Sequence, residues 1–492
     1  MSVVPKPLIY RIFTCTILFS LAIERPDMPQ SKENIFRMLP SVESLLGRPE
    51  LQQYAEKLGR QVVADSARKV IDEVRSSLTA AANPTEESIL TEVLQKTEAN
   101  LAAFTKPHYR KVVNAAGIVL HTGLGRAVLS QKVIDHIASE ISGYSLLQLD
   151  IAEGKRSKRD AAIESLLCRL TGAEAATVVN NNAAATAIVL NTVAKDREVI
   201  VSRGQLVEIG GAFRLPDVMA FSGAKLVEVG TTNKTHLRDY ENAITENTAA
   251  ILRVHPSNYQ IQGFSSEVDT AELVAIARKH NLTMIDDVGA GALIDFSRFG
   301  FAPEPTLAQS IAAGADIVTS SADKLIGASQ GGIILGKKPL IEAVRKNQFA
   351  RIVRVGKLTL AALEATLKLF LDDKLALREI PTLRLLMRPA AEIKDQAHRI
   401  ANAVSKTDAA EVTTIPGFSQ MGSGSLPTQN LATTLVAVRP KQTTADSLAK
   451  NLRAQPTPIF TRIRNDQVLI DPRTLLEGDE QILIAALTRV LT

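Results

Sequence analysis

Seven short apolar segments, separated by stretches with helical spacing, lie between residues 175 and 336 of this 492-residue chain. Their length and their content of valine and isoleucine predict buried β-strands, and the stretches between several of them predict crossover helices. Strands joined in this way form a mostly parallel sheet with helices on both faces, and such sheets bind ligands at the carboxyl ends of their strands. The predicted strands are Ala175–Asn180, Glu198–Ser202, Lys225–Val229, Ala249–Val254, Leu282–Asp286, Ala315–Ser320 and Gly332–Gly336.

The segments on either side of this sheet predict two further units. Residues 31–82 form a helical unit, because their apolar residues recur at helical spacing after a proline–serine helix start. Residues 83–385 form the large domain, which contains the sheet and a preceding helix over residues 86–104. Residues 386–492 have the mixed pattern of a small, separate α+β domain.

Residues 1–30 are predicted to be an N-terminal extension. The apolar run from Leu8 to Ile23 is too short for a comfortable membrane span, and no convincing small-residue cleavage site follows it. We interpret the extension as an over-called start, with Met28 rather than Met1 as the working N-terminus. No membrane association is expected.

The composition argues against several classes of function. A net charge of +5 is small for this length, and a chain with 4% aromatic residues and no tryptophan is poorly suited to stacking on bare bases. The seven histidines show no zinc-ligand spacing, so we expect no metal. Cys15 and Cys168 give no disulfide framework, which favours a reducing, cytoplasmic location.

Lys324 follows one predicted strand and precedes a loop broken by glycines. A lysine between two buried strands is poorly hydrated, so its pKa falls and its amine becomes nucleophilic near neutral pH. Ser320 and Ser321 lie just before it, where their hydroxyls can meet a cofactor phosphate. This pattern alone is weak, and the assignment of a catalytic lysine depends on the other strand ends.

Two other strand ends carry polar residues. Asn180 and the two asparagines after it open an alanine-rich helix, whose first amides and dipole suit an anion, although a plain helix cap explains them as well. Asp286 and Asp287 end a later strand, where a carboxylate can pair with a protonated pyridine nitrogen or cap the next turn. The order of helix start, aspartate and lysine is shared by the large pyridoxal-phosphate enzymes that combine an aminotransferase-like domain with a small C-terminal domain.

Seven blocks of the sequence match one known family. They are VLHTGLGRA at 119–127, VVNNNAAA at 178–185, VSRGQLVEIGGAFRLPD at 201–217, EVGTTNKTH at 228–236, VHPSNYQIQGF at 254–264, DKL at 323–325 and KLTLAALEATL at 357–367. On these blocks the chain resembles the bacterial selenocysteine synthases, the L-seryl-tRNA(Sec) selenium transferase family. The resemblance runs from about residue 35 to the end, and so many collinear blocks are far more specific than a single motif.

The resemblance implies the fold and the cofactor. The large domain would have the aminotransferase-like fold of pyridoxal-phosphate enzymes (fold type I), and Lys324 would bind pyridoxal 5'-phosphate covalently. Asp287 would pair with the pyridine nitrogen, with Asp286 as the alternative. Asn181, Asn182 and Ala183 would hold the phosphate, near Ser321. In this family, arginines matching Arg126, Arg351 and Arg354 line the site and bind the anionic selenium donor.

The resemblance also implies the reaction and the partners. Seryl-tRNA(Sec) would be converted to selenocysteyl-tRNA(Sec) with selenophosphate as donor, through a cofactor-bound aminoacrylate. The helical unit at residues 31–82 would contact the tRNA, and the family assembles as a homo-oligomer, a decameric ring of dimers.

Several positions depart from the family pattern. The family usually has asparagine at Gly123, a Gly-Gly-Pro-Gln sequence around Ala328 and Ser329, and aspartate at Gly356, and the segment 150–160 matches loosely. These changes leave open a second reading, a β-eliminating lyase of the same fold that acts on a small amino acid or sugar acid without tRNA. The helical unit favours the first reading, since a small-molecule enzyme does not need it. A third class, an inactive RNA-binding scaffold, is disfavoured because the lysine, the aspartate and the arginines are all present.

Overall fold

The computed structural model describes residues 36–78, 85–211, 213–426 and 429–492. They belong to two compact units, one that ends at Arg110 and one that extends from Lys111 to Thr492. Within the described ranges, no helix combines the length and the apolar character needed to cross a membrane. The N-terminal extension at residues 1–30 lies outside the described residues.

The N-terminal unit is a bundle of helices around its own apolar core. Its described helices are α1 (Val42–Leu46), α2 (Pro49–Leu58), α3 (Arg60–Ser77) and α4 (Glu86–Thr105). Ser41 caps α1 by accepting a hydrogen bond from the backbone N–H of Ser44, which fits the predicted helix start. Gly59, at φ +88°, separates α2 from α3 and breaks the helical run in a conformation that favours glycine.

The fourth helix belongs to this bundle. Ile89, Val93 and Leu101 of α4 are buried in one apolar cluster with Leu51 of α2 and Val70 of α3. The sequence pattern predicts instead that this helix belongs to the large domain, with a boundary after residue 82. In the structure the helical unit continues to Arg110, because α4 needs the apolar faces of α2 and α3 to cover its own.

The second unit contains a large domain built on a seven-stranded sheet. Its elements in chain order are β1 (Val113–Asn114), α5 (Gln131–Glu140), α6 (Ala161–Thr171), β2 (Ala175–Val179), α7 (Asn182–Ala194), β3 (Glu198–Ser202), β4 (Glu208–Ile209), β5 (Phe213–Arg214), α8 (Leu215–Ser222), β6 (Lys225–Val229), α9 (Leu237–Ala243), β7 (Thr248–Val254), α10 (Thr270–Lys279), β8 (Thr283–Asp287), α11 (Leu307–Ala312), β9 (Ile317–Ser321), β10 (Gly332–Gly336), α12 (Lys338–Lys346), α13 (Phe349–Ile352), α14 (Lys357–Leu369), α15 (Asp373–Glu379) and α16 (Pro381–Met387).

The strand order of this sheet is β2-β10-β9-β8-β7-β3-β6, and only β10 runs antiparallel to its neighbours. One apolar cluster lies on each face: Ile200 and Ile251 point into one, and Val201 and Leu252 point into the other. Helices therefore cover both faces, as the near-continuous apolar strands require. The predicted mostly parallel α/β class is confirmed.

The small domain follows, with an antiparallel sheet. Its elements are α17 (Ala390–Ser405), β11 (Ala410–Ser419), β12 (Leu431–Pro440), α18 (Ala445–Arg453), β13 (Ile459–Phe460), β14 (Arg462–Arg464), β15 (Gln467–Ile470) and α19 (Asp479–Leu491). The strand order is β11-β12-β15-β14. In addition, β1 pairs in parallel with β13, with Val113 opposite Ile459. The start of the second unit is thus joined to the small domain rather than to the large sheet.

Candidate active site

A cavity of about 480 Å³ opens at the carboxyl edge of the large sheet, and Lys324 lies in it. Lys324 belongs to the loop between β9 and β10 and is 5% exposed. Burial lowers the pKa of its ammonium group, the carboxylate of Asp287 raises that pKa in part, and the charge of Arg126 lowers it again. Relative to a solvated lysine, the neutral amine is favoured, as a nucleophilic lysine requires.

Asp287 is the last residue of β8 and lines the same cavity. Its carboxylate accepts hydrogen bonds from Asn182 Nδ2 at 2.8 Å, from Thr186 Oγ1 at 3.0 Å and from the backbone N–H of Gly289 at 3.1 Å. Burial raises the pKa of Asp287, while these three hydrogen bonds and the charge of Lys324 oppose the rise. The carboxylate is therefore buried, and three hydrogen bonds from the protein replace those that water would donate.

Asp286 points to the opposite face of the sheet, because successive side chains of a strand alternate. It is fully buried, its Oδ1 atom accepts a 2.9 Å hydrogen bond from Arg253 Nη1, and it does not line the cavity of Lys324. Of the two adjacent aspartates, Asp287 is therefore the one that faces the lysine. Asp286 has a structural partner of its own.

The start of α7 forms another wall of the cavity. Asn181 caps this helix by accepting a hydrogen bond from the backbone N–H of Ala184, and Asn181, Asn182 and Ala183 all line the cavity, as does Ser321 at the end of β9. Gly332 of β10 passes so close that an added Cβ would lie 2.0 Å from the carbonyl oxygen of Asn181. A glycine is needed there, and it allows the helix start, with its free N–H groups, to sit against the sheet.

Arg126 approaches the lysine from a distant part of the chain. It has a left-handed backbone (φ 63°) just after Gly125, and its Nη1 atom lies 2.7 Å from Oδ2 of Asp323. Asp323 is nine-tenths buried and immediately precedes Lys324. A positive charge is thus fixed in the cavity by a partner, and about a third of the arginine side chain remains exposed to meet a ligand.

Arg351 and Arg354 do not line this cavity within one chain. The backbone around them passes on the other side of β2, where the N–H of Asn180 donates a 3.0 Å hydrogen bond to the carbonyl of Val353. There they lie near Arg159, whose pKa is lowered by burial and then by the charges of Arg354 and Arg351. The structure therefore brings Arg126 together with Lys324 but places the other two arginines in a second cationic group.

Two further polar residues of the cavity have no predicted role, although they lie in a matching block. His255 and Ser257 follow β7 and line the cavity, and the backbone N–H of His255 donates a 2.9 Å hydrogen bond to the carbonyl of Asp287. The Ser257 hydroxyl is buried, and none of the described residues offers it a hydrogen-bond partner. The signal that could have identified them is the polar sequence His-Pro-Ser-Asn directly after a buried strand.

These residues fit pyridoxal phosphate. The cavity combines a buried amine at Lys324, a carboxylate at Asp287, a helix start for a phosphate, and two buried polar atoms, Ser257 Oγ and Asn182 Oδ1, for which no described residue is a hydrogen-bond partner. Its volume is in the range of small-molecule sites. The unmet hydrogen-bonding capacity of a buried serine and asparagine is what a polar cofactor would satisfy.

Comparisons with known proteins agree with this geometry. The sequence profile of the family described as L-seryl-tRNA selenium transferase matches residues 112–476, and the profile described as selenocysteine synthase N terminal matches residues 36–75. The L-seryl-tRNA(Sec) selenium transferase of Alkaliphilus oremlandii (strain OhILAs) is 45% identical over 466 residues, which cover 94% of this chain and 100% of the relative. That of Desulfomicrobium baculatum is 46% identical over 462 residues, which cover 93% of this chain and 99% of the relative.

Among solved structures, that of a D-glucosaminate-6-phosphate ammonia-lyase aligns with a TM-score of 0.55 at 23% sequence identity, over 78% of this chain and 96% of the other. At this identity the likeness concerns the fold, which agrees with the predicted fold type I. The family assignment rests on the profile that covers most of the second unit and on relatives that match over nearly their full length. On that basis, the chain belongs to the L-seryl-tRNA selenium transferase family.

Proposed function

We propose that this protein converts seryl-tRNA(Sec) to selenocysteyl-tRNA(Sec) with selenophosphate as the selenium donor and pyridoxal 5'-phosphate as cofactor. The single observation that carries the proposal is the joint placement of Lys324, Asp287 and the start of α7 around one cavity, in a chain that belongs to this family. The match of residues 36–75 to the family's N-terminal region supports a tRNA substrate, and we assign the tRNA contacts to the helical unit.

The residues of the cavity divide the chemistry among them. Bound pyridoxal phosphate supplies an electron sink for the α-carbon of the serine. Lys324 would hold the cofactor through its amine, and the same amine would serve as the base that takes the α-proton of the serine, for which its depressed pKa is suited. Asp287 would keep a proton on the pyridine nitrogen of the cofactor, and the hydrogen bonds from Asn182 and Thr186 hold its carboxylate in place. Asn181, Asn182 and Ala183 bind the phosphate through the helix start.

Arg126 binds the anionic donor next to the lysine. Its ion pair with Asp323 fixes the guanidinium group in the cavity, and the exposed part of that group remains available to the donor. Arg351 and Arg354 belong to the second cationic group, so their role in donor binding requires that a second copy of the chain bring such a group to the cavity. An exposed apolar patch beside them supports a homo-oligomer: Phe221 is 76% and Ile352 is 75% exposed. The number of copies proposed from the family resemblance is ten.

A conversion assay tests the proposal. Purified protein is incubated with seryl-tRNA(Sec) and selenophosphate, and the released aminoacyl group is weighed by mass spectrometry. Selenocysteine is expected with the wild type and not with Lys324→Ala, which should also lose the yellow absorption band of the cofactor. Unchanged serine from a wild type that shows the band would contradict the tRNA substrate and favour the small-molecule lyase, and a colourless wild type would contradict the cofactor.

A further inference from the structure

A second and larger cavity, of about 780 Å³, lies beside that of Lys324 at the same edge of the sheet. Arg253 and Ser202 line it, whereas Val254 and Asp287 line the cavity of Lys324, so the two cavities open on opposite faces of the sheet. His255, the residue directly after the end of β7, lines both of them, so the two cavities adjoin beyond the strand ends. The roles proposed above make no use of the second cavity.

Glu304 is the buried acidic group of this second cavity. It is 4% exposed, and its Oε1 atom lies 3.4 Å from Nε2 of His255, yet no described residue donates a hydrogen bond to that oxygen. Its negative charge also contributes to raising the pKa of Lys324, which places it within electrostatic range of the reacting amine. A buried carboxylate oxygen without a donor is costly unless a ligand supplies one.

The rest of the lining favours a neutral ligand rich in hydrogen-bonding groups. Hydroxyl and amide side chains predominate, including Ser202, Gln205, Thr235, Gln260, Ser266 and Gln309. Glu267, Asp269 and Asp295 add negative charge that repels a phosphate from the interior. Lys234 is an exposed cation of the lining, suited to a phosphate held outside.

The substrate itself requires such a site close to the lysine. In an aminoacyl-tRNA the amino acid is esterified to the ribose of the 3'-terminal adenosine, so only two covalent bonds separate the α-carbon of the serine from the ribose oxygen. With the serine amine at Lys324, the terminal nucleoside must occupy space directly next to the first cavity. The second cavity adjoins the first at His255 and is such a space, and its volume lies in the range of small-molecule sites.

We propose that the second cavity binds the 3'-terminal adenosine of the tRNA, with Glu304 accepting a hydrogen bond from the free ribose hydroxyl. A carboxylate that accepts from a ribose 2'-hydroxyl is a recurrent device of nucleotide sites. This inference rests on the proposed function, because it presupposes an aminoacyl-tRNA substrate. It names the part of that substrate that the cavity recognises, and it makes Glu304 a binding residue rather than part of the proton-transfer machinery.

The test is a double comparison of protein and tRNA. Deacylated tRNA(Sec) ending in adenosine or in 2'-deoxyadenosine is titrated, at one fixed salt concentration, against the cofactor-loaded wild type and Glu304→Gln, and Kd is read by fluorescence anisotropy. We expect the deoxy ending to weaken binding to the wild type about 10-fold, as for loss of a hydrogen bond to a charged group, and to leave binding to Glu304→Gln within about 2-fold. Glu241→Gln, an exposed carboxylate paired with Lys279, is the control and should behave as the wild type.

A second variant tests the same site independently, so that the test does not depend on the folding of Glu304→Gln. Ala302 is exposed and lines the cavity, so Ala302→Trp should fill the cavity and also abolish the preference for the ribose hydroxyl. If the deoxy ending weakens binding 10-fold for the wild type and equally for Glu304→Gln and Ala302→Trp, the proposed nucleoside site is wrong. That result would leave the proposed function intact. Failure of the wild type to bind either tRNA would instead contradict the proposed function itself.

Discussion

Arg126 and Asp323 are 197 positions apart in the sequence, and their side chains form an ion pair of 2.7 Å beside Lys324. The pair places two opposite charges next to one amine. The negative charge of Asp323 raises the pKa of Lys324, and the positive charge of Arg126 lowers it. Removing either partner should therefore move the protonation of the lysine nitrogen in a known direction.

Asp323→Asn should lower the pKa at the Lys324 nitrogen, because the positive charge of Arg126 remains without its partner. Arg126→Met should raise that pKa, because the negative charge of Asp323 remains. The measurement is the pH midpoint of the absorbance change of the bound cofactor, which reports protonation of that nitrogen. Asp408→Asn, which removes an exposed carboxylate of the small domain that lines neither cavity, serves as control. Shifts of both active-site variants in the same direction would contradict the opposed charges.

The two adjacent aspartates should give two different phenotypes. Asp287→Asn should lower kcat at least about 100-fold and alter the cofactor spectrum, since the carboxylate that holds the pyridine proton is lost. Asp286→Asn should leave the spectrum unchanged but reduce the free energy of unfolding by about 3 kcal/mol, because the buried charge of Arg253 loses its partner. Spectra and urea unfolding of both variants measure these effects, and an altered spectrum in Asp286→Asn alone would reverse the assignment.

Gly332→Ala should weaken binding of pyridoxal phosphate more than it weakens the fold. The added methyl group would lie 2.0 Å from the carbonyl of Asn181 and 3.0 Å from the backbone nitrogen of Asn182, so the helix start must move away from the sheet. We expect the Kd for the cofactor, measured by absorbance titration, to rise about 10-fold as one or two phosphate hydrogen bonds are lost. Gly143→Ala, where an added Cβ meets nothing within 4 Å, should leave the Kd unchanged.

The buried lysine should make the cofactor-free protein more stable at alkaline pH. Between the lowered pKa of the folded state and the ordinary value of 10.5, the unfolded chain binds more protons at this position, so the free energy of unfolding rises with pH. Lys324→Met removes that contribution, and its gain in stability over the wild type should be larger at pH 7.5 than at pH 9.5. Urea unfolding at the two pH values measures it, and an equal gain at both would contradict a depressed pKa.

Gly356→Asp should stabilise the protein slightly. Gly356 is the N-cap of α14, where it makes no side-chain cap and an added Cβ would meet nothing within 4 Å. An aspartate there, as the family usually has, can accept from the first N–H groups and interact with the helix dipole, for a gain of about 0.5 kcal/mol. A higher urea midpoint is expected, with unchanged conversion of seryl-tRNA(Sec) if the departure at this position is neutral.

The sequence predicted the large sheet well because most of its strands are short apolar runs that are separated by stretches with helical spacing. Glu198–Ser202, Lys225–Val229 and Gly332–Gly336 begin and end in the structure where the pattern placed them. It missed β11, which contains Pro416 and Gly417. That strand lies at the edge of the small sheet, where a proline and a glycine cost little.

The candidate active site, like the fold, could be predicted from the sequence only in part. Strand ends that carry an asparagine, an aspartate or a lysine could be recognised from order alone, and Lys324, Asp287 and Asn182 do meet in one cavity. The position of Arg354 could not be predicted, because it depends on which side of β2 the chain passes. Nor could the environment of Glu304, since its proximity to His255 is created by a fold that joins two distant loops.

The pairing of β1 with β13 has a consequence for how the chain folds while it is being synthesised. Val113 and Ala115 are buried among side chains of the small domain, including Ile459 and Val468, although they are made before the large sheet begins. During synthesis this early segment must stay without its partner until nearly the whole chain has emerged, while the strands between can already assemble. A nascent chain or proteolytic product that ends after residue 385 would therefore expose an apolar segment at its front, and such a fragment should be recognised by chaperones even with its large sheet complete.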